Sequence, residues 1–162
     1  MSSDVFTIPW TGTVTNAGGD CDFWEVLPND DRPLRLLGII LGQTSEVSDA
    51  AEENLSFSII RLPATVTSGS GGTSPTARCV STSGVSAPFT VEANNTTVAT
   101  TSGTSETLEN FGWNERNTPF EKWYPEPDIQ YGWVQTEALV IRMLSTPADD
   151  FTFTGTLWVR AL

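Results

Sequence analysis

The sequence predicts an all-β fold, an antiparallel β-sandwich or jelly roll formed as a single domain over residues 1–162. Three observations predict it. Two apolar runs, Arg35 to Gln43 and Asn54 to Leu62, are rich in β-branched and aromatic residues and bounded by Gly, Pro and Ser/Thr, so they read as strands that share one core. The composition of 13 Gly, 10 Pro, abundant Thr and 17% charged residues suits short strands joined by turns better than helices. Further apolar stretches recur at short spacing, which favours two packed sheets over a βαβ arrangement. A chain of 162 residues buries roughly two-thirds of its unfolded surface without help from metals or disulfides.

The elements follow in chain order. Phe6, Ile8, Trp10 and Val14 alternate with Thr7, Thr11, Thr13 and Thr15, which predicts a half-buried strand within residues 1–15, interrupted on its apolar side only by Gly12. The turn Asn16 to Gly19 precedes a strand over Phe23 to Leu27, stopped by the breaker cluster Pro28 to Pro33. Thr44 to Glu53 reads either as one helical turn capped near Ser48 or as a plain acidic loop. The Gly/Ser run 67–75 is expected as a flexible hairpin tip. Ala87 to Ala93 alternates again and ends in the turn residues Asn94 to Thr97. Ala138 to Leu144 and Phe151 to Leu162 are strands flanking the turn Ser145 to Asp150, with Phe151, Phe153, Leu157 and Val159 facing one way and the last strand reaching the final residue.

Charge limits the partners. Eight basic residues against 20 acidic ones give a net charge of -12, with no Lys/Arg cluster to displace counterions from a phosphate backbone, so nucleic acid is not an expected partner. No apolar stretch approaches the ~20 residues that span a bilayer, and anionic membrane surfaces repel this chain. The N-terminus lacks a basic region followed by an apolar segment, which points to synthesis in a reducing cytoplasm. There Cys21 and Cys79 are expected as free, partly buried thiols; a bridge between them would stabilise the fold by roughly 4 kcal/mol on the chain-entropy model.

The sequence has no histidine, which removes the usual Ser-His-Asp and Cys-His catalysis and deprives a zinc site of its common nitrogen ligand. No cofactor and no metal are expected. Glu25, Glu92, Glu109, Glu115 and Glu121 are formal candidates for paired-carboxylate chemistry, but in so acidic a chain no motif selects one pair. Asp20-Cys-Asp22, Asp30-Asp31 and Asp149-Asp150 lack the spacing of a calcium loop and read as solvated loop charge. The triplets at Asn54, Asn94 and Asn95 match the glycosylation pattern without a secretory context.

The densest aromatic region runs from Phe111 to Pro127, with Tyr131 and Trp133 close behind. Aromatics punctuated by proline can close a core or subunit contact, dock onto another protein, or stack on sugar rings. Arg116 and Lys122 lie among them, available for stacking or local pairing.

Arg32-Pro-Leu-Arg-Leu-Leu-Gly-Ile-Ile-Leu-Gly-Gln-Thr-Ser45, Asp49-Ala-Ala-Glu-Glu53, Ser58-Ile-Ile-Arg61, Ser68-Gly-Ser-Gly-Gly-Thr-Ser-Pro75 and Glu92-Ala-Asn-Asn-Thr-Thr97 form a recurring pattern of strands and turns. It continues in Trp123-Tyr-Pro-Glu-Pro127, Leu139-Val-Ile-Arg142, Pro147-Ala-Asp149 and Gly155-Thr-Leu-Trp-Val159. The pattern resembles small β-sandwich virion structural proteins of tailed bacteriophages, over most of the chain from Arg32 onward. It departs from them in the Trp-rich stretch Phe111 to Trp133 taken as a whole and in the strand Phe6 to Trp10. The resemblance implies a non-enzymatic virion component, a capsid decoration or cement protein on the capsid exterior, made in the host cytoplasm, with the major capsid protein as partner. An acidic domain does not compete for the genome, and avidity on a symmetric shell favours a homo-oligomer, most naturally a trimer. Phe6, Ile8, Trp10, Trp113, Phe120, Trp123, Tyr124 and Trp133 are the expected subunit or capsid contacts. The alternative is a tail or head-fibre domain presenting Trp113, Trp123, Tyr124 or Trp133 to host-surface carbohydrate.

Overall fold

The computed structural model describes residues 4–15, 19–44, 53–114 and 119–162. The predicted turn at Asn16 to Gly19 and the choice between helical turn and loop at Thr44 to Glu53 fall largely outside the described residues, as do Glu115 and Arg116.

The fold is all-β. Its long strands are β1 (Asp4–Val14), β2 (Cys21–Pro28), β3 (Leu34–Gln43) and β4 (Asn54–Leu62). An excursion follows that holds only short strands: β5 (Val66–Thr67), β6 (Arg78–Cys79), β7 (Phe89–Glu92) and β8 (Thr100–Thr101). The chain then continues through β9 (Glu106–Asn114), β10 (Phe120–Trp123), β11 (Gly132–Trp133), β12 (Ala138–Met143) and β13 (Phe151–Ala161). Sheet A runs β10-β3-β13-β1-β6, with β11 also pairing β3, and sheet B runs β7-β2-β12-β4-β9. Without the excursion and β11, the orders β1-β13-β3-β10 and β2-β12-β4-β9 are those of a jelly roll, in which successive strands alternate between the two sheets except at β4 and β9, which pair with each other in sheet B. The two opening apolar runs are therefore β3 and β4, in opposite sheets, facing each other across one core.

Alternation decides the inner faces. Along β1, Phe6, Ile8, Trp10 and Val14 are buried while Pro9, Thr11 and Thr13 are exposed. Gly12 breaks the apolar set because the Trp10 indole occupies its place: a Cβ there would come within 2.4 Å of Trp10 Cζ2. Pro9 is tolerated because β6 pairs β1 only at Phe6 and Thr7, so Pro9 lies beyond that ladder on a free edge. On β13, Phe151, Phe153, Leu157 and Val159 point inward as their spacing predicts. Residues 145–150 carry the chain from sheet B to sheet A, so β12 and β13 do not form a hairpin.

Sheet B departs from simple alternation. β2 is buried at Asp22, Glu25 and every apolar position but the half-buried Leu27, and Ala138 to Ile141 form a continuous buried run. The reason is a second, smaller core on the outer face, where Ile60, Leu62, Ala138 and Val140 pack with Ala99 under the excursion. Residues 67–75, expected as a hairpin tip, lie within this cover. Ser70 bridges Thr97, Thr73 bridges Ala93, and the Gly69 N–H donates to Glu25 Oε2 at 2.9 Å. Glycine suits the close approach, since a Cβ at position 72 would come within 2.1 Å of the Ala93 carbonyl oxygen.

Candidate functional site

Most of the residues expected to form a contact surface lie inside the protomer. Phe6, Ile8, Trp10, Trp113, Tyr124 and Trp133 are buried in the main core, and burial there leaves their side chains no surface to offer a partner. Within the protomer they serve as core. Trp10 stacks on Phe153 at 5.2 Å, and the Trp133 indole N–H donates to the Val26 carbonyl at 3.1 Å. Phe120 is half-buried, stacked 4.4 Å from Phe111. Trp123 alone of the set is exposed, at 42%.

The aromatic stretch divides because it crosses from one sheet to the other. β9 forms an edge of sheet B, and residues 120–133 run along β3 as an edge of sheet A. Glu109 of β9 ties the two edges together: Lys122 pairs with it, and the hydroxyls of Tyr124 and Tyr131 donate to its Oε2 at 2.6 and 3.0 Å. Partial burial pushes the Glu109 pKa up, but the hydrogen bonds from Lys122, Tyr124 and Tyr131 outweigh it and hold the carboxyl below its usual value. A depressed pKa stabilises the fold above the usual glutamate range, and that stabilisation is lost as pH falls through the native value. Glu109→Gln should therefore lower the melting temperature at neutral pH by more than it does in acid, as read by circular dichroism. An equal loss at both would mean that the carboxylate charge contributes nothing.

The other carboxylates do not converge on an open cleft. Glu25 and Glu92 are cross-strand neighbours on β2 and β7, yet Glu25 is sealed beneath residues 67–75 at 2% exposure. Glu121 accepts the Trp123 indole N–H. Asp22 is not solvated loop charge but a buried strand residue, bound by Arg142 Nε at 2.6 Å. Among the described residues, no group of three or more Cys, Asp or Glu is placed to hold a metal ion. Both cysteines are free. Burial, with the neighbouring Asp22 charge, pushes the Cys21 thiol up to about 12.

What remains accessible is the outer face of sheet A. Cross-strand register puts Trp123, Gly38, Trp158, Thr7 and Arg78 in one row across β10, β3, β13, β1 and β6. The Trp123 ring packs over Gly38, where a Cβ would come within 2.4 Å of its Cε3, and lies 5.3 Å from the Trp158 ring at 60°. The neighbouring row places Arg35 directly opposite Arg160. Elsewhere Arg32, Arg61, Lys122 and Arg142 each pair with a carboxylate. Among the described residues, Arg35, Arg78 and Arg160 have no ion pair, and all three lie on this one face. Like charges directly opposite each other in a sheet are unfavourable, so an anionic counterpart on this face would be stabilising. Aromatic density alone does not single out Trp158 and the arginines, although the inward parity of Leu157 and Val159 turns Trp158 and Arg160 outward.

Fold and face together define a jelly-roll sandwich of strongly acidic overall charge that presents one sheet face carrying an aromatic pair and arginines without ion pairs. No protein-family model matches this chain, and no curated protein does. Among solved structures, that of infectious bursal disease virus, Gx strain, is similar at 12% identity over 100% of this chain and 42% of that one, with a TM-score of 0.22. The VP2 subviral particle of the same virus is similar at 14% identity over 95% of this chain and 42% of the other, with a TM-score of 0.12. The chain spans about two-fifths of the length of each. At those scores the likeness bears on neither fold nor function.

Proposed function

We propose that this chain is a non-enzymatic structural protein of a bacteriophage virion, a decoration or cement protein that binds the major capsid protein on the capsid exterior and stabilises the shell. The observation that carries the reading is the outer face of sheet A, where Trp123 and Trp158 sit beside the unpaired Arg35, Arg78 and Arg160. Exposed Trp and Arg are the residue types that anchor protein contacts. The jelly roll, an architecture used in viral capsid and lectin domains, supports it, as does the resemblance in residues from Arg32 onward. The trimer belongs to the same reading: copies gathered about three-fold positions gain avidity. The outward residues Pro9, Thr11 and Thr13 of the N-terminal strand extend the binding face, while its inward residues hold the core.

The test is to strip particles of the protein, add it back, and heat them. Wild-type chain should raise the melting temperature of the shell. Trp123→Ala should lose at least tenfold in binding, since truncating an interface anchor costs about 2 kcal/mol or more, while its own fold survives. Equal melting of shells with and without the wild-type chain would remove the cement role.

A second reading rests on the Trp123 and Trp158 pair alone. Two adjacent indoles, one over a glycine and open to solvent, form a platform on which a sugar ring can stack, as in a tail or head-fibre domain that binds host-surface carbohydrate. A glycan array without signal, together with unchanged tryptophan fluorescence, would dismiss it.

A further inference from the structure

Glu25 and Asn95 form a buried side-chain contact between β2 and the excursion that covers it. Glu25 is 2% exposed and Asn95 is fully buried. Asn95 Nδ2–H donates to Glu25 Oε2 at 3.1 Å, and the Gly69 N–H donates to the same oxygen at 2.9 Å. The second atom of each group, Glu25 Oε1 and Asn95 Oδ1, is buried without a hydrogen-bond partner. Buried acceptors are almost always satisfied, so two such oxygens on one hydrogen-bonded pair demand an explanation. Turning the amide over does not supply one, because its oxygen would then face the carboxylate oxygen that now receives the N–H. An ionised Glu25 has no hydrogen to offer. A protonated one has a single O–H, and the pair then carries the hydrogen that it lacks.

We propose that Glu25 is held protonated at neutral pH and donates its Oε1–H to Asn95 Oδ1 while Asn95 Nδ2–H donates to Oε2, a cyclic acid–amide pair that fastens residues 93–99, and with them 67–75, onto sheet B. Loss of the proton to solvent leaves a carboxylate facing an amide oxygen and loosens the cover. The surroundings favour the neutral form. Burial raises the Glu25 pKa against the hydrogen bonds from the Gly69 N–H and the Ser68 hydroxyl, and the charges of Asp22 and Glu92 raise it further. Asp22 on the same strand is matched by Arg142 of β12, and Glu92 faces Glu25 from β7. Val140 is its neighbour on β12, and the covering stretches 67–75 and 93–99 hold no titratable side chain. This site is independent of the outer face of sheet A and of whatever that face binds.

A raised pKa gives stability that is whole below the usual glutamate range and is lost as pH rises to the native value. Between those limits the wild-type folding constant should fall by about tenfold per pH unit relative to Glu25→Gln, whose amide keeps a hydrogen in the same place. Carbon-13 NMR of the Glu25 side-chain carboxyl in the wild-type chain reads the state directly. A protonated signal at neutral pH is expected, with the Gly69 amide losing exchange protection as that signal titrates. An ionised signal at neutral pH would overturn the proposal, even if Glu25→Gln fails to fold. So would calcium chloride that raises the melting temperature of the wild type but not of Glu25→Gln, which would assign the free oxygens to a cation.

Discussion

Replacing Phe153 with alanine is expected to lower the unfolding free energy by about 3–5 kcal/mol, the range for deleting a large buried aromatic ring. Phe153 is fully buried on β13, and rings from both sheets surround it. Its centroid lies 4.4 Å from Phe23, 5.2 Å from Trp10, 5.6 Å from Trp24 and 6.4 Å from Trp113. Trp10 belongs to sheet A, whereas Phe23, Trp24 and Trp113 belong to sheet B, so this one ring is a common packing centre. Rigid indoles and benzyl groups cannot collapse far into the space left behind, and the cost rises with residual cavity volume. Phe153→Leu should cost much less because it keeps most of the volume. Urea denaturation read by tryptophan fluorescence measures both. A loss below about 1 kcal/mol for the alanine variant, the size of an ordinary substitution, would show that the sheets do not depend on this ring.

Arg142→Met should cost a similar roughly 3–5 kcal/mol, for an electrostatic reason. The Asp22 carboxylate is fully buried; Arg142 binds it through Nε at 2.6 Å and Nη2 at 3.1 Å and also donates to the Ala99 carbonyl at 2.8 Å. The Ala99 N–H completes the cluster with a 2.7 Å bond to Asp22 Oδ2. Removing the guanidinium strands a charge in a site that cannot hydrate it and strips a partner from the excursion. Adding Asp22→Asn to Arg142→Met should restore much of the stability, because the neutral amide keeps an acceptor for Ala99 without a charge to bury. If the single variant melts like the wild type, the pair does not anchor the cover. If the double variant is no better than the single one, the loss lies in packing rather than in charge.

Much of the scaffold is legible in the residues. Along β1 and β13 apolar side chains recur at every second position, interrupted only by Gly12 and Gly155, and those side chains do face the core. The run Asn54 to Leu62 coincides with β4, and Arg35 to Gln43 lies within β3. The docking face is much less legible. Two-residue periodicity tells which side chains share a side of a strand but not whether another layer covers that side. Phe6, Ile8 and Trp10 face a covered side, and so does Trp133; Trp123 faces an open one although its local sequence is equally aromatic. Arg142 looks like a solvent-facing strand residue, yet it is drawn onto a buried aspartate more than a hundred positions away in the chain.

The residues by themselves determined the class of fold and the inward side of its alternating strands, because strand pleat converts spacing directly into facing. They also determined the acidic surface charge and the absence of histidine chemistry, since both are properties of composition. Only the tertiary structure decided that the stretches 67–75 and 93–99 fold back as a cover over sheet B, that most of the tryptophans are core, and that the arginines without carboxylate partners gather beside Trp158. Each of these depends on which distant strands become neighbours, and that is settled by long-range pairing in the whole fold, which local pattern does not encode.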